Sequence, residues 1–283
     1  MKIAVLLTCH NRKEKTISCL NSLYKANLFL NYSLEVYLVD DASIDGTTKA
    51  ITNFFPNVTI IRGNGNLYWN QGMRLAWLKA IEKNINYDFF LWLNDDSFLE
   101  KDALEHLFDC FNEYKNIKGI DSVIVGACKE SNKSKVFSYG LRINENIIEP
   151  NGVFQTGNMM NGNLVLIPNT IYKKIGILSN NYTHAMGDHD YGLRAIEGGF
   201  DLVTTKKYVA ICETHINLPD WCNPHKDFQK RWQSLNSPLG LNINEYKLFR
   251  KRFWPKGYLI SILKIYFRCF FPSIYTKIKT NEI

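Results

Sequence analysis

Along the first third of the chain, short unbroken apolar runs alternate with longer stretches in which apolar residues recur every three or four positions. The unbroken runs Ile3 to Thr8 and Leu34 to Val39 are rich in leucine and β-branched residues, and each ends in a polar cluster. Strands buried on both faces look like this. Between them, Lys13 to Lys25 sets Ile17, Leu20, Leu23 and Tyr24 at helical spacing, so the opening predicts a βαβ unit. The alternation continues with a helix over Thr47 to Phe55, a strand over Val58 to Arg62, a helix over Asn70 to Asn84 and a strand over Phe89 to Leu93. Strands alternating with helices predict an α/β sheet, in which ligands gather where the strands end.

Further on the pattern loosens. A helix is predicted over Asp102 to Glu113, strands over Ser122 to Ala127, Asn163 to Pro168 and Leu202 to Thr205, and a helix over Asp188 to Glu197 closed by Gly198-Gly199. The opening MKIAVLLTCHNRKEK has too short an apolar core, and no small-residue cleavage site, to read as a signal peptide. Lys264 and Arg268 interrupt the best candidate for a membrane-spanning stretch, Tyr258 to Phe271.

Composition adds two constraints. A chain of 283 residues that is 46% hydrophobic can bury one large core, or a core and a smaller piece, without disulfide staples. Its seven cysteines are odd in number, form no CxxC pair and sit largely in apolar runs, which predicts free buried thiols in a reducing compartment. Charge is uneven: of the net +7, the stretch from Lys247 onward holds nine Lys/Arg and one acid, which is +8 and leaves −1 for the rest. The basic character belongs to the tail.

Four polar clusters carry candidate chemistry. Asp40-Asp41-Ala42-Ser43-Ile44-Asp45-Gly46-Thr47 follows a strand; its carboxylates could accept the imide N–H of a uracil or thymine or hold ribose hydroxyls, while Asp45 or Ser43 could equally cap the next helix. Asn94-Asp95-Asp96-Ser97 follows the strand ending at Leu93. It reads as an acidic turn, or as carboxylates for a hard cation, Mn²⁺ or Mg²⁺, that grips a diphosphate. Gly187 to Arg194 (GDHDYGLR) opens a helix, so Asp188 reads as an N-terminal cap or as a general base for an acceptor hydroxyl. Residues two apart on a helix do not share a face, so Asp188 and Asp190 should hold different jobs. Gly63 to Arg74 (GNGNLYWNQGMR) offers amides and an indole for sugar hydroxyls and C–H faces, or simply leads into a helix.

Together these residues resemble glycosyltransferase family 2, over about Lys2 to His215 and in the family's order: the IAVLLTCHNR strand, the VDDASIDGT loop, the NDD strand end and GDHDYGLRA. The resemblance implies an A-type glycosyltransferase fold, α/β with a Rossmann-like, mostly parallel central sheet flanked by helices. It implies a catalytic domain over 1–220, with a nucleotide-binding half (1–100) and an acceptor half (101–220); the remaining 221–283 reads from its own residues as a basic, aromatic helical extension. It implies an inverting transfer from a nucleotide-sugar donor to a glycan or lipid-linked glycan acceptor, in bacterial capsule or O-antigen synthesis, with Mn²⁺ or Mg²⁺ as cofactor.

Residue by residue, Thr8 and Asp40 or Asp41 would contact the base, with Asn11, Arg12, Asn66 and Gly72 also on the nucleotide side. Asp95 would lie near the ribose and Asp96 would bind the metal. Asp188 falls on the catalytic base, supported by Asp190 and Arg194. His215 matches a late histidine that reaches the metal or diphosphate in some members, against a structural role. Trp69, Asn161, Gly162 and Asn163 would line the acceptor side. Asn94 replaces the usual first aspartate, and Gly187 the usual glutamate before the base.

The tail from Lys247 to Lys279 interleaves cations with aromatic rings. This suits peripheral contact with an anionic membrane on its cytoplasmic face, or a helix packed on the catalytic domain. No nucleic-acid motif accompanies the charge. Two rival functions are a nucleotidyltransferase, which would want a glycine in Cys9 to Lys13 to hold a triphosphate, and a non-catalytic sugar-nucleotide-binding protein, which Asn94 and Gly187 would suit.

Overall fold

The computed structural model describes residues 1–30, 32–214 and 218–275. The opening βαβ pattern is realised as β1 (Lys2–Cys9), α1 (Lys13–Asn27), β2 (Ser33–Asp40), α2 (Thr47–Phe54), β3 (Thr59–Arg62), α3 (Tyr68–Glu82) and β4 (Phe89–Leu93). Then come β5 (Phe98–Leu99), α4 (Ala103–Lys118), β6 (Ser122–Ser131) and the short strands β7 (Ser134–Phe137), β8 (Leu141–Ile143), β9 (Asn146–Ile147), β10 (Thr156–Gly157) and β11 (Met159–Met160). β12 (Leu164–Pro168), α5 (Asn169–Ile175), α6 (Gly187–Glu197) and β13 (Asp201–Ile211) follow, and α7 (Phe228–Leu235), α8 (Ile243–Phe253) and α9 (Tyr258–Phe270) end the described chain.

The main sheet runs β10-β13-β6-β12-β4-β1-β2-β3. β1 pairs in parallel with both β2 and β4, β2 with β3, and β13 with β6, whereas β12 runs antiparallel to β4 and β6. A reversed strand inside a parallel sheet brings its own start to the edge where its neighbours end. Leu164, the first residue of β12, therefore sits opposite Leu93, the last of β4.

Alternate residues of β1 feed two cores. Ile3, Val5 and Leu7 face α1 and α4 through Leu20, Leu23, Leu104 and Phe108; Ala4 and Leu6 face α3 and α6 through Met73, Trp77, Tyr191 and Ala195. Every one of these β1 side chains is fully buried, as the unbroken apolar run requires of a central strand. Trp77 anchors the second layer, with ring centroids 5.1 to 5.9 Å from Phe90, Trp92, Tyr172 and Tyr191.

α3 packs directly against β1 where Gly72 meets Thr8. A Cβ there would stand 2.2 Å from the Thr8 hydroxyl oxygen and 2.8 Å from its Cβ. Overpacking of this kind costs about 1–3 kcal/mol, against about 1 kcal/mol that alanine gains over glycine in a helix. Gly72→Ala should therefore lower the denaturant midpoint. An unchanged midpoint would mean that α3 and β1 can part without cost.

The chain divides into two compact units: Met1–Asn180 with Asp188–Thr214, and Asn181–Gly187 with His215–Ile283. The second has its own small core of Trp221, Leu235, Ile243, Ile262, Ile265 and Cys269. The boundary expected at 220/221 falls inside it, and the short segment before α6 also belongs to it. The cysteines are free, all but Cys222 buried. No helix among the described residues is long and apolar enough to cross a membrane.

Candidate active site

The ends of β1, β2 and β4, the start of β12 and the first turn of α6 carry the polar residues singled out above. β2 ends at Asp40, paired with Cys9 at the end of β1. Asp40 is fully buried; its carboxylate accepts the Ser43 N–H at 2.8 Å and the Thr48 hydroxyl, with Arg62 3.8 Å away. Asp41 accepts three backbone N–H groups, from Gly65 at 2.7 Å, Leu67 at 2.8 Å and Tyr68 at 3.1 Å. It thereby folds the glycine- and asparagine-rich loop onto the strand end and places a negative charge at the start of α3, where the helix dipole favours one. Asp45 accepts N–H bonds from Thr47 and Lys13. Capping and organising, one of the two readings left open for this loop, thus accounts for the present partners of all three acids, and a base docking here would have to exchange with one of them.

Asn11 joins the same corner: its N–H donates to Ser43 Oγ and its side-chain oxygen accepts the Ile44 N–H, both at 2.8 Å. The Asn66 N–H donates to Asn64 Oδ1 at 2.9 Å. His10, which the sequence did not mark, donates from Nδ1 to the Asp41 carbonyl at 2.6 Å.

At the end of β4 the acids meet a cation of the chain itself. Arg12 Nη1 lies 3.1 Å from Asp95 Oδ1 and 2.7 Å from Asp96 Oδ2. Burial pushes the Asp95 carboxyl up to about 7, against the opposing pull of Arg12 and with the help of the adjacent Asp96 charge. The Asp96 side chain keeps 15% of its surface exposed. Its other oxygen is 3.7 Å from the Cys212 thiol, which burial pushes up to about 12, so Cys212 is a neutral donor there and no nucleophile.

Cys212 links this acid to the neighbouring strand. Its sulfur accepts from the Asn163 amide at 3.3 Å, and the Asn163 carbonyl accepts the Asn94 N–H at 2.9 Å. Asn94 then turns its side-chain oxygen to Trp69, accepting the indole N–H at 2.6 Å. The residue standing where an aspartate is usual therefore holds the indole. Trp69 packs edge-on against Trp92, and Gly162 leaves room for it: a Cβ on Gly162 would come within 2.4 Å of the indole. Asp188 completes the chain of contacts, accepting the Gly162 N–H at 3.0 Å and the His189 N–H at 2.8 Å.

Asp96, Trp69, Gly162, Asn163 and Asp188 are thus drawn together from four elements. Asn161 instead pairs with Gly140. Asp190 and Arg194 face elsewhere: Asp190 is 2% exposed and accepts Arg194 Nε at 2.7 Å, and the guanidinium also donates to the Ile175 and Ile177 carbonyls. That pair anchors α6 to the end of α5. It would support the site by fixing the helix on which Asp188 rides. His215 lies outside the described residues. Cys212, which the sequence does not mark, and Asn94, which it marks only as a departure from the acidic motif, tie the halves of the site together; the signal for Cys212 is its closeness to His215 in the chain.

Among the described residues no group of three or more His, Cys, Asp and Glu side chains gathers to hold a metal. Hard cations are nonetheless often held by one or two carboxylates together with substrate phosphates. The adjacent Asp95 and Asp96 carboxylates fit a cation delivered with a diphosphate, not one caged by protein alone.

A family model described as glycosyl transferase family 2 matches residues 4–162. Among solved structures, S. aureus TarS 1-349 in complex with UDP-GlcNAc is 14% identical, with a TM-score of 0.57 over 95% of this chain and 78% of that one. The mannosyltransferase PcManGT from Pyrobaculum calidifontis, in complex with GDP-Man and Mn²⁺, is 12% identical, with a TM-score of 0.53 over 93% and 73%. At these identities the likeness carries the fold. A search of curated proteins found no match.

Proposed function

Since the chain belongs to glycosyl transferase family 2, we propose that it moves a hexosyl or rhamnosyl group, with inversion, from a UDP- or dTDP-sugar to a hydroxyl of a glycan or lipid-linked glycan. The setting we propose is capsule or O-antigen synthesis at the cytoplasmic face of a bacterial membrane. The observation that carries the reading is the placement of Asp188, joined through Gly162, Trp69 and Asn94 to the acidic end of β4. A base for the acceptor and a place for the leaving diphosphate thereby share one strand-end cluster. The nucleotide sugars in the complexes of TarS and PcManGT support the donor class, and the Mn²⁺ in the latter supports a divalent cation.

In this mechanism Asp188 accepts the acceptor hydroxyl proton as the oxygen attacks the anomeric carbon. The bond to the nucleoside diphosphate breaks on the opposite face, which inverts the centre. Trp69 presents an indole surface to the sugar, held by Asn94. Arg12 stands beside Asp95 and Asp96 with a charge that can follow the leaving phosphates. A divalent cation held by Asp96, with Asp95 beside it, would neutralise charge on that leaving group.

A thermal-shift screen of UDP, dTDP and GDP and their sugars, with and without Mn²⁺, tests donor class without knowing the acceptor. A uridine or thymidine diphosphate at about 100 times its Kd should add about 2.7 kcal/mol of stability. No shift with any nucleotide would remove the proposal, and a shift confined to GDP would replace the donor. NMR of the anomeric product from the best donor then tests inversion.

A further inference from the structure

α9 has two apolar faces, and among the described residues only one is buried in the core of its unit. Ile262, Ile265 and Cys269 are buried against Trp221 and Leu235. Leu259, Leu263, Phe267 and Phe270 follow one another at three- and four-residue spacing on a separate face, 71%, 67%, 40% and 45% exposed, and Ile274 continues the series. The stripe widens into aromatic surface from α7, where Phe228 and Trp232 are about as exposed as Phe270; Phe228 lies 5.1 Å from Phe270 between ring centroids. All of this lies within the second compact unit.

The charge around the stripe says what covers it. From Lys247 to Tyr275 the chain carries seven Lys/Arg and no acid. Lys264 and Arg268 occupy the helix positions that border the exposed face, and Lys251, Arg252 and Lys256 precede it. A second copy meeting this face through a two-fold axis would set like charges against each other. An aqueous face leaves the aromatic and aliphatic side chains wet. A surface that takes apolar side chains to the depth of a helix radius and meets cations with anions is an anionic bilayer.

We propose that α9, with Phe228 and Trp232, is an in-plane docking surface for phospholipid bilayers bearing anionic headgroups, with Leu263 and Phe267 entering the acyl boundary and Lys264 and Arg268 meeting phosphates. The inference deepens the proposed work on a lipid-linked acceptor and rests on that reading for its purpose, not for its physics.

The test is flotation of the full chain with vesicles of phosphatidylcholine alone or with about a third phosphatidylglycerol. Binding should be at least about tenfold stronger to the anionic vesicles. Leu263→Glu should abolish it on both, and Lys264→Glu should weaken only the anionic preference. Both variants change exposed positions, so unchanged far-UV circular dichroism and melting separate lost docking from lost folding. Asp188→Asn should float like the parent, so failed sugar transfer and failed docking are read separately. The inference is overturned if the parent stays with the soluble fraction, or if Leu263→Glu floats as well as the parent. It is also overturned if light scattering shows a dimer that Leu263→Glu dissolves.

Discussion

Asp188→Asn should lower kcat for sugar transfer by about 10² to 10⁴, the usual contribution of a positioned general base, while the melting shift produced by UDP or dTDP stays as in the parent. Two backbone N–H groups, of Gly162 and His189, now converge on the two carboxylate oxygens. Asparagine can accept only one of these bonds through its single side-chain oxygen, and turns an amide N–H₂ towards the other. Leaving one buried partner unmet costs about 1–3 kcal/mol, so the variant should melt somewhat lower. Asp188→Ala is the control, since it removes the base without presenting a donor to either N–H group. Both variants should lose transfer to a similar extent if deprotonation is what Asp188 supplies. Transfer at the parental rate in either would assign the proton to another group.

The first half of the fold could be read from the chain because each strand there is a continuous apolar run buried on both faces and closed by polar residues. Predicted and observed limits of β1, α1, β2, α2, β3, α3 and β4 accordingly differ by at most two residues. β13 was seen only as Leu202 to Thr205, because Lys206 and Lys207 interrupt the apolar run just where the strand's register with β6 shifts between Thr204 and Tyr208. Strands of two to four residues such as β7, β9 and β11 leave no period to detect. The candidate site divides in the same way. Acids at strand ends are local features and stood out. That Asp41 closes a loop more than twenty residues away, or that Asp190 and Arg194 fasten α6 to the end of α5, depends on where a backbone N–H or carbonyl arrives in space, and residue type carries no mark of that. Asn94 shows the limit most clearly. As a bare departure from an acidic motif it suits a non-catalytic protein, whereas in the folded chain its side-chain oxygen accepts the Trp69 indole N–H and the adjacent Asp95 and Asp96 meet Arg12.

Asp96→Ala should produce the second large effect, a loss of about 10² to 10³ in kcat, comparable to removing one fixed electrostatic contact to a leaving oxyanion. Arg12 makes the outcome specific. With Asp96 gone its guanidinium retains Asp95 at 3.1 Å, so the fold should hold, while the site has lost the more exposed of its two carboxylates. Mn²⁺ affinity measured by calorimetry with UDP present should therefore fall, and raising Mn²⁺ should recover part of the rate. Arg12→Ala should move the two readouts in opposite directions: without the competing cation Mn²⁺ binds more tightly in the absence of nucleotide, but transfer slows because one charge near the leaving phosphates is missing. The pH dependence follows from Asp95, whose carboxyl burial pushes up to about 7. Above that pH the carboxyl is ionised and adds a second negative charge beside Asp96. As pH falls through 7 it takes up a proton, so Mn²⁺ affinity should decline through that window and binding there should be accompanied by proton release that grows as the pH is lowered. A Mn²⁺ affinity that is flat from pH 6 to 8 and indifferent to Asp96→Ala would place the cation, if the reaction uses one, away from the end of β4.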